Sequence, residues 1–222
     1  MTGVIFDFNG TLFDDSDKVE KSWQLFSTQV FHRIITQAEF KEIIHGRTTD
    51  SIVQYLSQSA LSKEQIAELA DKKEAIYREL CESDRSTCLA ADVKLLLDEL
   101  KERQIPRTIA TASPKVNVDY FIKKFNLEKW FDIDKIIYND GTIPGKPAPD
   151  FYIRAAKVIE IEPHKCIVFE DAASGIQSAY NAGIGKIIVV APQNQRHTFE
   201  KLPEVFDVIT DFKQFDRLLL EN

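Results

Sequence analysis

From residue 89 onward, short apolar runs alternate with helix-patterned stretches, and few folds accommodate that rhythm. Strands are predicted over 107–112, 135–138, 165–170, 186–191 and 207–210. Between them, Val93, Leu96, Leu97 and Leu100 recur at helical spacing, as do Ile153, Ala156 and Ile159 after Asp150. Ser113-Pro114 reads as an N-cap followed by proline at the first helical position. Gly183 is placed to end a helix over 172–182 in the left-handed region, and a last helix is predicted over 212–220. Strands joined through helices of this length pair in parallel. The expected core is therefore an α/β, doubly wound parallel sheet of Rossmann-like form. One further strand, Val4 to Phe6, precedes all of this and stops at a carboxylate, Asp7, with the turn pair Asn9-Gly10 just beyond.

Residues 16–85 break the rhythm. Asp14 to Asp17 offer N-caps for a helix through Trp23, Leu25 and Phe26. Further starts fall at Thr36 and at Thr48-Thr49-Asp50. Ser62-Lys-Glu-Gln65 matches a capping box, and Ile66, Leu69, Ala70, Lys73, Ile76, Tyr77 and Leu80 follow as one helical stripe. Consecutive helices placed between strands read as an inserted all-α cap domain, residues 16–86, with a core of residues 1–15 and 87–222.

Composition narrows the function classes. The net charge of −7 across 222 residues disfavours a general nucleic-acid or anionic-membrane partner. No apolar run approaches the roughly 20 residues of a membrane helix, and no basic-then-apolar leader opens the chain. Cys81, Cys88 and Cys166 have no metal-type spacing, which with their odd number fits a reducing, cytoplasmic setting.

Four polar groups fall at strand ends or beside them, where open α/β sheets bind ligands. These are Asp7 with Asn9, Thr111 with Ser113, Lys146, and Glu170 with Asp171. Each has a plain alternative. Asp7 reads as a turn cap or as a nucleophile able to form an aspartyl-phosphate. Glu170-Asp171 reads as a solvated strand end or as a magnesium site, since Mg²⁺ takes one or two carboxylates plus phosphate oxygens. Lys146 is a surface cation or a charge anchor on a stiffened turn. Thr111 and Ser113 are caps or anion contacts at a helix N-terminus.

Together these groups resemble the haloacid dehalogenase-like superfamily of phosphohydrolases, in the helical-capped branch and the beta-phosphoglucomutase-like group. The resemblance spans essentially the whole chain. It is most specific in Asp7-Phe-Asn-Gly-Thr-Leu12, Gly145-Lys-Pro-Ala-Pro-Asp150, and Phe169-Glu-Asp-Ala-Ala-Ser-Gly-Ile176 with Ala182-Gly183. It is looser at Ile109-Ala-Thr-Ala-Ser113. It implies a Mg²⁺-dependent enzyme, of phosphatase type, acting on a small phosphorylated metabolite as a monomer or weak dimer. Asp7 would attack phosphorus, Thr111 and Ala112 would contact the phosphoryl oxygens, and Lys146 would hold the charges together. Asp7, the backbone carbonyl of Asn9, Glu170 and Asp171 would ligate the metal.

One residue departs from the pattern. The family places a proton-carrying Asp where this chain has Asn9, and an amide cannot cycle a proton. Positioned acid–base catalysis is worth about 10²–10⁴-fold, so slow turnover is expected unless Asp14 or Asp15 substitutes. A phosphoryl-ligand binder with little turnover is the alternative. Deamidation at Asn9-Gly10 would regenerate the family residue. A mutase reading is weaker, because the family's gating His is matched by Val19. Dehalogenases also lack the second Asp, but they do not use Mg²⁺. In the cap, Gly46-Arg47-Thr48 resembles the group's specificity loop, and Arg47 reads equally as a surface residue or an anchor for a second anion. Trp23 reads as a buried aromatic and His45 as a surface residue.

Overall fold

The structure, a computed structural model, describes residues 1–221. Its sheet has strands β1 (Gly3–Phe6), β2 (Arg107–Pro114), β3 (Ile137–Asn139), β4 (Cys166–Glu170), β5 (Lys186–Val190) and β6 (Asp207–Ile209). All pair in parallel, in the order β3-β2-β1-β4-β5-β6. This is the doubly wound order whose direction reverses between β1 and β4. Helices α1 (Ser16–Phe31), α2 (Gln37–Glu39), α3 (Thr49–Ser57) and α4 (Lys63–Ser83) form the helical cap. The core carries α5 (Val93–Glu102), α6 (Lys115–Phe125), α7 (Asp150–Val158), α8 (Ala173–Asn181) and α9 (Arg196–Phe199).

The strand period of two decides the layers. Val4, Phe6, Ile167, Phe169 and Ile188 face one side of the sheet, beneath the Val93, Leu96, Leu97 and Leu100 stripe of α5. Ile5, Cys166, Val168, Ile187 and Val189 face the other, against Phe151, Tyr152, Ile176 and Ala179 of α7 and α8. Phe6 stacks on Phe169 with centroids 5.1 Å apart, and Phe169 meets Phe212 at 5.3 Å. Each such side chain contributes about 1.5–3 kcal/mol on burial. The cap has its own apolar cluster, built on Trp23, Phe26, Phe40, Ile52 and Leu56.

Several expected elements differ in detail. Residues 212–220 form two short 3₁₀ turns, Phe212–Gln214 and Arg217–Leu220, instead of one helix. Asp211 and Asp216 each accept a backbone N–H two residues on and start a separate turn. Ser113 does not cap α6: β2 runs on through Pro114 and the helix opens at Lys115. The strand expected over 135–138 begins at Ile137, because Asp132 initiates a 3₁₀ turn over Ile133–Lys135. A π-helical turn, Phe40–Ile44, and α9 were not legible in the pattern. The three cysteines are free, Cys81 and Cys166 buried and Cys88 exposed. Among the described residues, no helix is long and apolar enough to cross a membrane.

Candidate active site

The strand order brings the four polar groups to one edge of the sheet. Asp7 extends β1, its N–H donating to the Phe169 carbonyl at 3.0 Å. Lys146 reaches over from the loop before α7. Its Nζ donates to Asp7 Oδ1 at 2.6 Å, to Glu170 Oε1 at 2.6 Å and to Tyr152 OH at 3.1 Å, and its side chain is wholly buried. Burial alone would lower the Lys146 pKa, but Asp7 and Glu170 hold it above the ordinary value. Burial also pushes Asp7 up to about 7 against the pull of Lys146, with Glu170 and Asp15 adding to the rise.

Glu170 is spent on architecture. Oε1 accepts from Lys146 and from Tyr152 OH, and Oε2 accepts the N–H groups of Asp171 and Ala172 at 2.9 and 3.1 Å. Those bonds fill the roughly four acceptor positions of a carboxylate. Gly175 makes room for it, since a Cβ there would lie 1.7 Å from Oε1. Asp171 is the more open group, touched by Thr11 Oγ1 at 3.3 Å and faced by Gly10, whose φ is +80°. Burial, reinforced by Glu170 and Asp7, pushes Asp171 well above the carboxylate range. Ligand oxygens of Asp7, Glu170 and Asp171 lie within 4.8 Å of one another. Two buried carboxylates and one half-buried one against one ammonium form an oxygen-only, cation-deficient set, which fits a hard divalent ion such as Mg²⁺.

At the end of β2, Thr111 Oγ1 accepts the Ser113 N–H at 3.1 Å, and Ala112 lines the same cavity. Ser113 Oγ turns inward and donates to Asn9 Oδ1 at 2.7 Å. The Asn9 amide nitrogen donates to Asp15 Oδ2 at 2.6 Å and to Tyr77 OH at 3.1 Å. Tyr77 in turn donates to Asp15, and Gly10 N donates to Asp15 Oδ1 at 3.0 Å. Asp15 is fully buried, and burial pushes its carboxyl up to about 6 against these donors. A side chain held at both ends is poorly placed to swing onto Gly10 N, so the structure argues against ready deamidation of Asn9.

Core and cap enclose a cavity of about 70 Å³ over these groups. Val19, Trp23, Ile44 and Ile52 supply apolar wall, and Arg47 stands exposed at its edge. Lys73, buried, lies 4.6 Å from the Trp23 ring centroid and 5.1 Å from that of Tyr77, and pairs with Glu74 at 3.2 Å. Glu74 accepts from Thr49 on α3 and from Asn117 on α6, while Arg78 donates to Asn117 Oδ1 at 2.8 Å. The Ser174 hydroxyl donates to the His45 carbonyl at 3.0 Å, tying the cap loop to α8. Trp23 is thus both buried and part of the wall. His45 is half-buried against Glu20, 3.2 Å away. The placement of Glu74, Tyr77 and Tyr152 at the site has no local signature in the sequence, whereas Lys73, a lysine inside an apolar helical stripe, is a visible signal.

Comparison with known proteins decides the family, since residues 4–189 match haloacid dehalogenase-like hydrolases. The chain belongs to the haloacid dehalogenase-like hydrolase family. It is an enzyme of that family's phosphatase type. A family IA, variant 3 hydrolase from Entamoeba histolytica has 36% identity and a TM-score of 0.89, with complete coverage of both chains. The fructose-1-phosphate phosphatase of Escherichia coli is 30% identical, over 84% of this chain and 95% of its own. A phosphorylated carbohydrates phosphatase of Thermotoga maritima is 26% identical, over 84% of each chain. A beta-phosphoglucomutase from Clostridium difficile, at 21% identity and a TM-score of 0.78, shares the fold.

Proposed function

We propose that this haloacid dehalogenase-like enzyme is a Mg²⁺-dependent phosphatase of small phosphorylated carbohydrates or related metabolites, working through an aspartyl-phosphate at Asp7. The observation that carries the reading is the buried contact of Asp7 with Lys146 beside Asp171, at the point where the strand order reverses. The two curated relatives named above carry names for sugar-phosphate chemistry, which supports the substrate class.

Lys146 holds Asp7 Oδ1, so Oδ2 is the oxygen left to attack phosphorus. The P–O bond to the leaving oxygen breaks as the Asp7–phosphorus bond forms, and water later releases orthophosphate and frees Asp7. Bound Mg²⁺ would neutralise charge on the phosphoryl oxygens. Asp7, the Asn9 carbonyl and Asp171 would hold it, with Glu170 serving chiefly to fix Lys146 and the start of α8. Thr111 and the Ala112 backbone would meet the phosphoryl oxygens. The cap, residues 16–86, closes the cavity to water. Lys73 and Arg47 are the cations available for the rest of an anionic substrate. Val19 offers no proton-bearing group, so nothing favours a mutase.

Asn9 itself moves no proton, and alcohol leaving groups would depart more slowly by about 10²–10⁴-fold unless another carboxylate serves them. A panel of sugar and polyol phosphates with acetyl phosphate tests the reading. Turnover is expected with Mg²⁺ and should vanish with chelator and in Asp7→Asn. Phosphate binding without turnover on any member would favour the ligand-binding alternative, and metal-free dehalogenation would overturn both.

A further inference from the structure

The amide at position 9 leaves a proton carrier missing, and the structure places another carboxylate against that same amide. Asp15 sits at the N-cap position of α1, yet its side chain makes no capping hydrogen bond to that helix. It turns the other way, into the cavity shared with Asp7. There it accepts hydrogen bonds from Asn9 Nδ2, Tyr77 OH and Gly10 N. A carboxylate has roughly four acceptor positions, so one remains to take or give a proton. The charge count points the same way. Asn9 and Asp15 together carry one carboxylate, whereas Asp at both positions would press two against each other at the present 2.6 Å separation.

We propose that Asp15 is the proton-transferring carboxylate of this enzyme and that Asn9 and Tyr77 are the positioning residues that aim it. The proposal rests on the reading of Asp7 as nucleophile. When Asp7 attacks phosphorus and the P–O bond to an alcohol breaks, the Asp15 carboxyl gives its proton to the departing oxygen. The resulting carboxylate then takes a proton from the water that attacks phospho-Asp7, so that orthophosphate leaves and the carboxyl is restored. Asn9, being neutral, keeps the pair from ever carrying two negative charges, and Tyr77 brings the cap helix α4 into the same network, tying the alignment of Asp15 to cap closure.

The test separates leaving groups. Rapid-quench bursts of phospho-Asp7 are measured with Mg²⁺ for wild type, Asp15→Asn and the charge-conserving swap Asn9→Asp/Asp15→Asn. The substrates are acetyl phosphate, whose leaving group needs no proton, and the best sugar phosphate of the panel. In Asp15→Asn the sugar-phosphate burst should fall by about 10²–10⁴-fold while the acetyl-phosphate burst stays within about threefold. Phospho-Asp7 should then persist, because its hydrolysis lacks a base. The swap should recover the sugar-phosphate burst to within about tenfold of wild type. An equal fall with both substrates, or no fall with either, would overturn the proposal. If Asp15→Asn fails to fold, the swap decides alone: a folded swap without the sugar-phosphate burst is equally fatal. Absence of phospho-Asp7 in wild type with acetyl phosphate would instead remove the parent reading, and this one with it.

Discussion

Restoring the family residue should harm this protein. Asn9→Asp would set a carboxylate where the amide nitrogen lies 2.6 Å from Asp15 Oδ2, in a site where Asp15 has no exposure. With charge centres about 4 Å apart and an effective dielectric near 20, the repulsion is about 4 kcal/mol. The charge-assisted hydrogen bond lost with the amide is worth about 1.5–3 kcal/mol more. The pair can escape by binding one proton, which the unfolded chain releases above its ordinary carboxylate pKa of about 4. The sign follows from that difference. A proton held by the folded state alone makes stability fall as pH rises. The same trend is expected of wild type, in which burial raises Asp15 to about 6 and Asp7 to about 7. The extra loss in the variant accumulates from the unfolded carboxylate pKa of about 4 up to the raised pKa of the pair, so it is larger at pH 8 than at pH 5.5. Urea denaturation in chelator should therefore show Asn9→Asp destabilised by about 3–5 kcal/mol at pH 8 and by distinctly less at pH 5.5. A variant as stable as wild type at pH 8, or a difference that does not grow with pH, would refute the reasoning.

Two further outcomes follow from the same geometry. Lys146→Met strips the cation from two buried carboxylates that its Nζ meets at 2.6 Å, and should cost about 3–5 kcal/mol in denaturant melts as well as abolishing phospho-Asp7 formation. Gly175→Ala places a methyl group on Glu170 Oε1; displacing that carboxylate breaks its contacts to Lys146 and to the α8 N-terminus, so stability should drop by about 2–4 kcal/mol, and turnover should drop with it.

The parallel sheet was legible because its strands are short apolar runs separated by amphipathic stretches. Leu96, Leu97 and Leu100 are buried as their spacing predicts. The Ser62–Gln65 capping box was legible for the same reason, as local chemistry. Asp7, Thr111, Lys146 and Asp171 were legible because each sits at or near a strand end, where the fold itself gathers polar groups. What escaped depended on contacts between distant segments. Asp15 reads in sequence both as one N-cap among four polar residues and, equally with Asp14, as a substitute for the missing acid; the approach of Tyr77, 62 positions away, is what singles it out. Ser113 looks like a cap for the same local reason, but Asn9 claims its hydroxyl. Glu170 reads in sequence as a second metal ligand beside Asp171, with Asp171 the firmer of the two. The difference appears only when Lys146, Tyr152 and two backbone N–H groups converge on it.

The position of β1 in the middle of the sheet has a consequence for biosynthesis. Residues 3–6 leave the ribosome well before their neighbours in the sheet, residues 107–109 and 166–169. Parallel pairing offers no local hairpin to shelter them. At about 5–20 residues per second, this apolar strand waits on the order of ten seconds for its second neighbour, while the helices of the cap have already emerged. The window in which the nascent chain is vulnerable to aggregation or holdase binding is therefore set by the translation of residues 107–169. Slowing codons within that stretch should lower soluble yield more than the same codons placed after residue 190.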